Sequence, residues 1–93
     1  MKQKTIVDYT PKKTSDWGEN ITALLNQQFL IKAVEFDDGA YGKVAIFYVG
    51  EEGKKYYTSS RVLLKQAEEI KKLCDEGKIV RVTLRRVKRY LTF

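Results

Sequence analysis

The spacing of apolar residues along the chain predicts three strands in its first half. Residues 29–36 and 43–49 are rich in β-branched and aromatic residues, which is typical of β-strands. Each is followed by a segment of glycine and acidic residues, 37–42 and 50–53, which predicts a tight turn. A third strand is predicted over 54–59. These segments form a meander, and a short helical turn capped by Asn20 precedes it.

A helical period replaces the strand pattern after the meander. Leu63, Ala67, Ile70 and Cys74 recur at intervals of three or four residues, which places them on one face of an amphipathic helix. A serine at position 59 or 60 suits the N-cap of this helix, and Gly77 suits its end. Two further strands are predicted beyond the helix, over 78–87 and 89–93, with a bend at 87–89.

The resulting order, β-β-β-α-β-β, is that of a mainly β domain with one helix. A five-stranded OB-like barrel has this order, and the alternative is an α+β sheet with the helix packed on one face. Ninety-three residues suit one small domain with a single core. We predict a flexible basic arm over 1–16 and one domain over 17–93. Trp17 either locks the arm to the barrel or stacks on a base.

The net charge is concentrated at the C-terminal end. Residues 1–77 hold 12 Lys or Arg and 12 Asp or Glu, whereas residues 78–93 hold 6 Lys or Arg and no carboxylate. The whole formal charge of +6 therefore comes from the last 16 residues. This uneven distribution predicts an acidic partner: nucleic acid, an anionic surface or an acidic protein.

Residue types with catalytic or metal-binding chemistry are scarce. The chain has no histidine and one cysteine, which removes the commonest general base and leaves too few ligands for zinc. We expect no enzyme activity, no cofactor and no metal site, and a nuclease built on Glu35, Asp37 and Lys43 is the catalytic alternative. The single cysteine and the lack of a long apolar run predict a cytoplasmic location, that of the host for a viral protein.

Cations and aromatic residues together favour binding of single-stranded nucleic acid, because cations contact phosphates and flat rings stack on bases. Alternation over 78–87 predicts that Val80, Val82 and Leu84 face the core, and that Arg81, Thr83 and Arg85 face solvent. Alternation over 43–49 favours a binding face of Lys43, Ala45 and Phe47 and a core face of Val44, Ile46 and Tyr48. Of Tyr56 and Tyr57, one faces the core. The candidate nucleic-acid-binding residues are Arg81, Arg85, Arg86, Lys88, Arg89, Tyr90, Phe93, Lys43, Phe47, Tyr41, Lys55, Tyr57 and Arg61.

Residues 27–93 resemble the small OB-fold proteins of phages, archaeal viruses and cells that bind single-stranded DNA. The similarity lies in "YYTSSRVLLKQ", where a strand runs into the helix, and in the basic, aromatic ending "RRVKRYLTF". It implies an OB-fold barrel that binds single-stranded DNA with little sequence preference, in replication, recombination or repair. The alternatives are an RNA-binding domain and a small module that docks an acidic protein. We expect no membrane partner, and the sequence leaves a homodimer open.

Overall fold

The computed structural model describes residues 17–40 and 42–93, so the predicted arm and Tyr41 lie outside the described residues. The strands are β1 (Glu19–Asn20), β2 (Gln28–Gly39), β3 (Gly42–Val49), β4 (Lys54–Thr58), β5 (Val80–Thr83), β6 (Arg85–Val87) and β7 (Tyr90–Thr92). The helix α1 spans Arg61–Asp75, and a 3-10 helix spans Ile21–Leu24. The predicted cap of this short helix is confirmed, since the side-chain oxygen of Asn20 accepts a hydrogen bond from the Thr22 amide at 3.0 Å.

Five of these strands form one mixed sheet in the order β1-β4-β3-β2-β5, curled into a half-barrel. The three meander strands are antiparallel, β1 runs parallel to β4, and β5 runs antiparallel to β2. The predicted fold class, mainly β with an OB-like barrel and one helix, is confirmed. Strand β7 pairs with β6 in a separate hairpin, so β5 is an edge strand of the described sheet.

The longest strand, β2, is divided by a bulge at Lys32. Its pairing with β3 shifts register between Ile31 and Ala33. Phe29 and Ile31 are buried before the bulge and Val34 after it. Odd-numbered residues therefore face the core before the bulge, and even-numbered residues face it after the bulge. Residues 28–31 of β2 pair with β5, and β2 pairs with β3 from Ile31 onwards. The extra residue therefore joins two pairing regions of opposite phase.

The predicted helix packs on one face of the sheet through its apolar stripe. Leu63, Ala67 and Ile70 are buried in the main core cluster together with residues of β2, β3 and β4. Ser60 is the N-cap residue, although its side chain makes no capping hydrogen bond. Gly77 ends the helix with φ of 86°, a conformation that favours glycine. Among the described residues, no helix combines the length and the apolar character needed to cross a bilayer.

The two faces of β3 are both covered, contrary to the sequence prediction. Ala45 and Phe47 are completely buried on the side of α1, while Val44 and Ile46 are buried on the opposite side and Tyr48 is half-buried there. The prediction that Phe47 contacts nucleic acid was wrong, because its ring lies in the core. Since β3 is the central strand of the sheet, its apolar run has no alternation from which to read a face. We call the sheet surface opposite α1 the outer face.

Candidate functional site

Residues 85–92 form a two-stranded hairpin, which we call the cationic hairpin. Arg85 pairs with Thr92 and Val87 with Tyr90, so Lys88 and Arg89 form a two-residue turn at the predicted bend. Lys88 has φ of 55°, a left-handed conformation that glycine adopts more readily than lysine. The turn therefore keeps a cation at its tip at some cost in backbone strain.

The cationic hairpin is fastened to the domain at its C-terminal end. The side-chain amide of Gln66 on α1 donates to Thr92 Oγ1 and accepts from the Phe93 amide, both at 2.9 Å. The Phe93 ring packs edge-on against Phe47 at 5.4 Å and against Phe29 at 6.0 Å between ring centroids. This half-buried ring therefore fastens the hairpin to the core, and its predicted contact with nucleic acid stays a prediction.

The predicted cations near the end of the chain are exposed and unneutralised. Within residues 17–40 and 42–93 their side chains form no hydrogen bond or ion pair; they are Arg81, Arg85, Arg86, Lys88 and Arg89. Four other cations are neutralised in ion pairs of 3.0–3.5 Å, namely Lys43 with Glu68, Lys54 with Glu19, Lys71 with Asp75, and Lys78 with Glu76. Arg61, Lys65 and Lys72 on α1 are also exposed without an ion pair, but their helix carries carboxylates as well. The hairpin and neighbouring β5 carry exposed cations and no carboxylate, so their charge is positive only.

Two apolar side chains are exposed between these cations. Val87 and Tyr90 face each other across the cationic hairpin and are 39% and 45% exposed. Tyr90 thus has the surroundings predicted for it, an aromatic ring among four cations of the same hairpin. A flat ring with neighbouring Arg and Lys side chains suits a base and its phosphates.

Trp17 packs against the outer face of the sheet, and its predicted role in locking the arm stays a prediction because the arm lies outside the described residues. Its ring lies 5.6 Å from that of Tyr57, tilted by 56°, and its Nε1 donates to Asp37 Oδ2 at 2.9 Å. Two glycines make room for this contact. A Cβ at Gly39 would lie 3.1 Å from the indole, and one at Gly18 would lie 2.0 Å from the carbonyl oxygen of Lys55.

Tyr48 lies at the centre of the outer face, where sequence reasoning had assigned it to the core. Its hydroxyl donates to Glu35 Oε1 at 2.6 Å. This hydrogen bond, followed by burial and the nearby negative charge, raises the pKa of Tyr48 above its ordinary value. Lys55 is its neighbour on β4, with Nζ 5.8 Å from the Tyr48 ring centroid.

The far edge of the outer face carries an arginine beside an apolar residue. Arg81 on β5 is paired with Leu30 on β2, which is 40% exposed. The outer face thus has Lys55 on one side of Tyr48 and Arg81 towards the other edge. Sequence reasoning had placed Arg81 correctly on the solvent side and Val82 on the opposite side.

The remaining predicted cations lie away from the outer face. Lys43 is on the helix side of the sheet, 4.3 Å above the Phe36 ring and in its ion pair with Glu68. Arg61 is the first residue of α1. The three residues of the nuclease alternative do not come together, because Glu35 and Asp37 face the outer side and Lys43 does not.

Sequence reasoning missed Tyr48 and Glu35 as members of an exposed surface. A signal was present in the uninterrupted apolar run 44–49, which predicts a strand covered on both faces. Such a strand has room for an aromatic residue on either side. Of the two adjacent tyrosines, Tyr56 is the one that faces the core, where it is buried. Tyr57 is half-buried on the outer face.

Comparisons of the chain with protein-family models, with curated proteins and with solved structures gave no match. The resemblance to OB-fold proteins that bind single-stranded DNA therefore stays a prediction.

Proposed function

We propose that this protein binds single-stranded DNA through its cationic hairpin and the outer face of its sheet, without reading a defined sequence. The observation that supports this most directly is the contrast in charge pairing. Four cations of the described residues are bonded to carboxylates, and the unpaired cations of α1 share that helix with Glu68, Glu69 and Asp75, whereas those on β5 and the hairpin are exposed and have no carboxylate on their own strands. Unpaired arginines of this kind suit phosphate, which they bind through forked donors.

The aromatic residues supply the second requirement for single strands. Tyr90 is exposed on the hairpin, and Tyr48 and Tyr57 are half-buried on the outer face. In OB-folds the surface of the second and third barrel strands takes oligonucleotides, and β3 and β4 occupy these places in the meander here. Each stacked base contributes about 1–3 kcal/mol, so two or three bases with several phosphate contacts give micromolar affinity or better.

The proposed role is binding rather than catalysis, in DNA replication, recombination or repair in the cytoplasm of a cell or of an infected host. RNA is the closest alternative ligand, since the same cations and rings accept either backbone. A homodimer would join two such surfaces and raise the affinity for one strand.

A second candidate function is docking of an acidic protein on the cationic hairpin. The pair Val87 and Tyr90 is a small apolar patch ringed by cations, and aromatic anchors with a charged rim are common in protein interfaces. In this case, the protein binds neither DNA nor RNA. A partner captured from a nuclease-treated lysate is then lost when Tyr90→Ser is introduced.

The proposal is tested by titrating the protein with unlabelled oligonucleotides at two salt concentrations and following intrinsic fluorescence. We expect single-stranded DNA to bind more tightly than a duplex of equal length. If about four phosphates are contacted, log K falls with log salt at a slope of about −3. Equal and weak binding of single and double strands would refute the proposal, and single-stranded RNA in the same assay separates the two nucleic acids.

Charge variants connect this binding to the hairpin. The double variant Arg85→Ala/Arg89→Ala is expected to weaken binding and to reduce the salt slope by about 1.4, because two phosphate contacts are lost. Neither residue contacts the core, so the free energy of unfolding stays within about 0.5 kcal/mol of wild type. Lys65→Ala, an exposed cation on α1, is the matched control and keeps wild-type affinity.

A further inference from the structure

The outer face carries a carboxylate that retains an acceptor oxygen. Glu35 Oε1 accepts the 2.6 Å hydrogen bond from Tyr48, while Oε2 bonds to none of the described residues. Neighbouring Asp37 is different, because Oδ2 accepts from Trp17 Nε1 and Oδ1 accepts from the Asp38 amide. Exposed Glu35 therefore presents an acceptor to solvent beside an aromatic ring.

The strand register places this carboxylate at the hydroxyl edge of the Tyr48 ring. Glu35 is paired with Ile46, and Tyr48 is paired with Ala33, so Glu35 and Tyr48 are diagonal neighbours on one face of an antiparallel pair. The hydrogen bond between them fixes their mutual orientation. The polar edge of a base stacked on Tyr48 therefore lies within reach of Glu35.

Charge favours a base over a phosphate at this position. A phosphate beside Glu35 would meet a like charge, whereas Lys55 and Arg81 lie on either side of Tyr48 along the sheet. A single strand crossing the outer face is therefore drawn to these cations through its backbone. Its base, rather than its phosphate, is directed towards the carboxylate.

We propose that Glu35 gives the outer face a preference for bases with an exocyclic amino group, so that cytosine is favoured over thymine. This inference rests on the proposed binding of single-stranded DNA. The N4 amino group of cytosine donates to a carboxylate oxygen, whereas thymine presents a carbonyl oxygen at the same place, which a carboxylate repels. The preference concerns the base held on Tyr48, so it biases base composition without defining a sequence.

The test compares oligodeoxycytidylate with oligothymidylate of the same length, at mildly alkaline pH where cytosine is neutral. Wild-type protein is expected to bind the cytosine polymer about fivefold more tightly, the net effect of one typical hydrogen bond. Glu35→Gln removes the charge, so the preference falls to near unity and the thymine polymer binds more tightly than to wild type. Glu69→Gln, which alters an exposed carboxylate on α1, keeps the fivefold preference.

Tyr48→Phe tests whether the tyrosine hydroxyl orients Glu35. This variant keeps the stacking ring and loses the donor, so we expect a smaller preference for cytosine, measured as the ratio of the affinities for the two polymers. Salt-dependent binding without a cytosine preference in wild type would overturn the inference and leave the proposed function standing, and so would a preference that persists in Glu35→Gln. Binding of neither polymer at low salt would overturn the proposed function and this inference with it.

Discussion

The ring of Phe93 meets the ring of Phe47 edge to face, with centroids 5.4 Å apart and ring planes at 88°. Phe47 is completely buried in the central strand, so this contact connects the end of the cationic hairpin to the middle of the core. The residue that follows the hairpin is therefore part of the domain's packing. The hairpin's cations are held in place by a contact that itself carries no charge.

Phe93→Ala is expected to lower both stability and DNA affinity. Loss of the ring leaves a gap beside Phe47 and Phe29, which costs about 2–4 kcal/mol of the free energy of unfolding in urea titration. Binding weakens as well, because the hairpin loses its attachment to the core. Phe93→Leu fills much of the space left by the ring, so this variant retains most of the stability and most of the DNA affinity. Unchanged stability of the alanine variant would contradict the packing role.

Lys88→Gly is expected to make the protein more stable and a weaker binder. Glycine relieves the positive φ of Lys88, which raises the free energy of unfolding by about 1 kcal/mol. It also removes a cation from the hairpin tip, so the slope of log K against log salt falls by about 0.7. Lys88→Gln separates the effects, because glutamine lacks the charge but keeps the strain of the positive φ. A glycine variant that binds DNA as wild type does would remove Lys88 from the interface.

Gly18→Ala is expected to dislodge Trp17 from the outer face. The new methyl group would lie 2.0 Å from the carbonyl oxygen of Lys55, and φ of Gly18 is 85°. We expect a loss of about 2–3 kcal/mol in the free energy of unfolding and a red shift of tryptophan emission. Gly50→Ala is the control, since Gly50 also has a positive φ but open space around it. Gly50→Ala measures the cost of placing alanine at a positive φ without a steric clash. Equal losses of the free energy of unfolding in the two variants would contradict the close contact at Gly18.

The pKa of Tyr48 predicts a specific loss of stability in alkali. Its folded-state pKa is raised above the ordinary 10.0, chiefly by the hydrogen bond to Glu35, so the folded protein holds this proton more tightly than the unfolded chain does. The stabilisation is complete below pH 10.0 and disappears as pH rises through the folded-state value. Tyr48→Phe lacks this contribution. Its free energy of unfolding therefore declines less steeply with alkaline pH than that of wild type, and parallel declines would contradict the assignment.

The order of strands and helix was predictable because it depends on local period and turn chemistry. Leu63, Ala67 and Ile70 marked the helix, and Leu84 marked the core side of the strand that follows it. The assignment of Phe47 failed because a strand covered on both faces has no alternation to read. The contacts of Phe93 were not predictable for another reason: its ring and the neighbouring cations suggested a binding surface, and only tertiary packing shows that the ring meets Phe47 and Phe29.

The bulge at Lys32 sets the rule by which this sheet tolerates change in length. Phe29 and Ile31 before the bulge and Val34 after it all lie on the inward side, because the bulge takes up the one extra residue between them. Deleting Lys32 would leave a regular strand in which these three side chains still face inwards, whereas inserting or deleting one residue within either half of β2 would turn part of that half inside out. The bulge is therefore the place in β2 where the loss of a single residue can be tolerated.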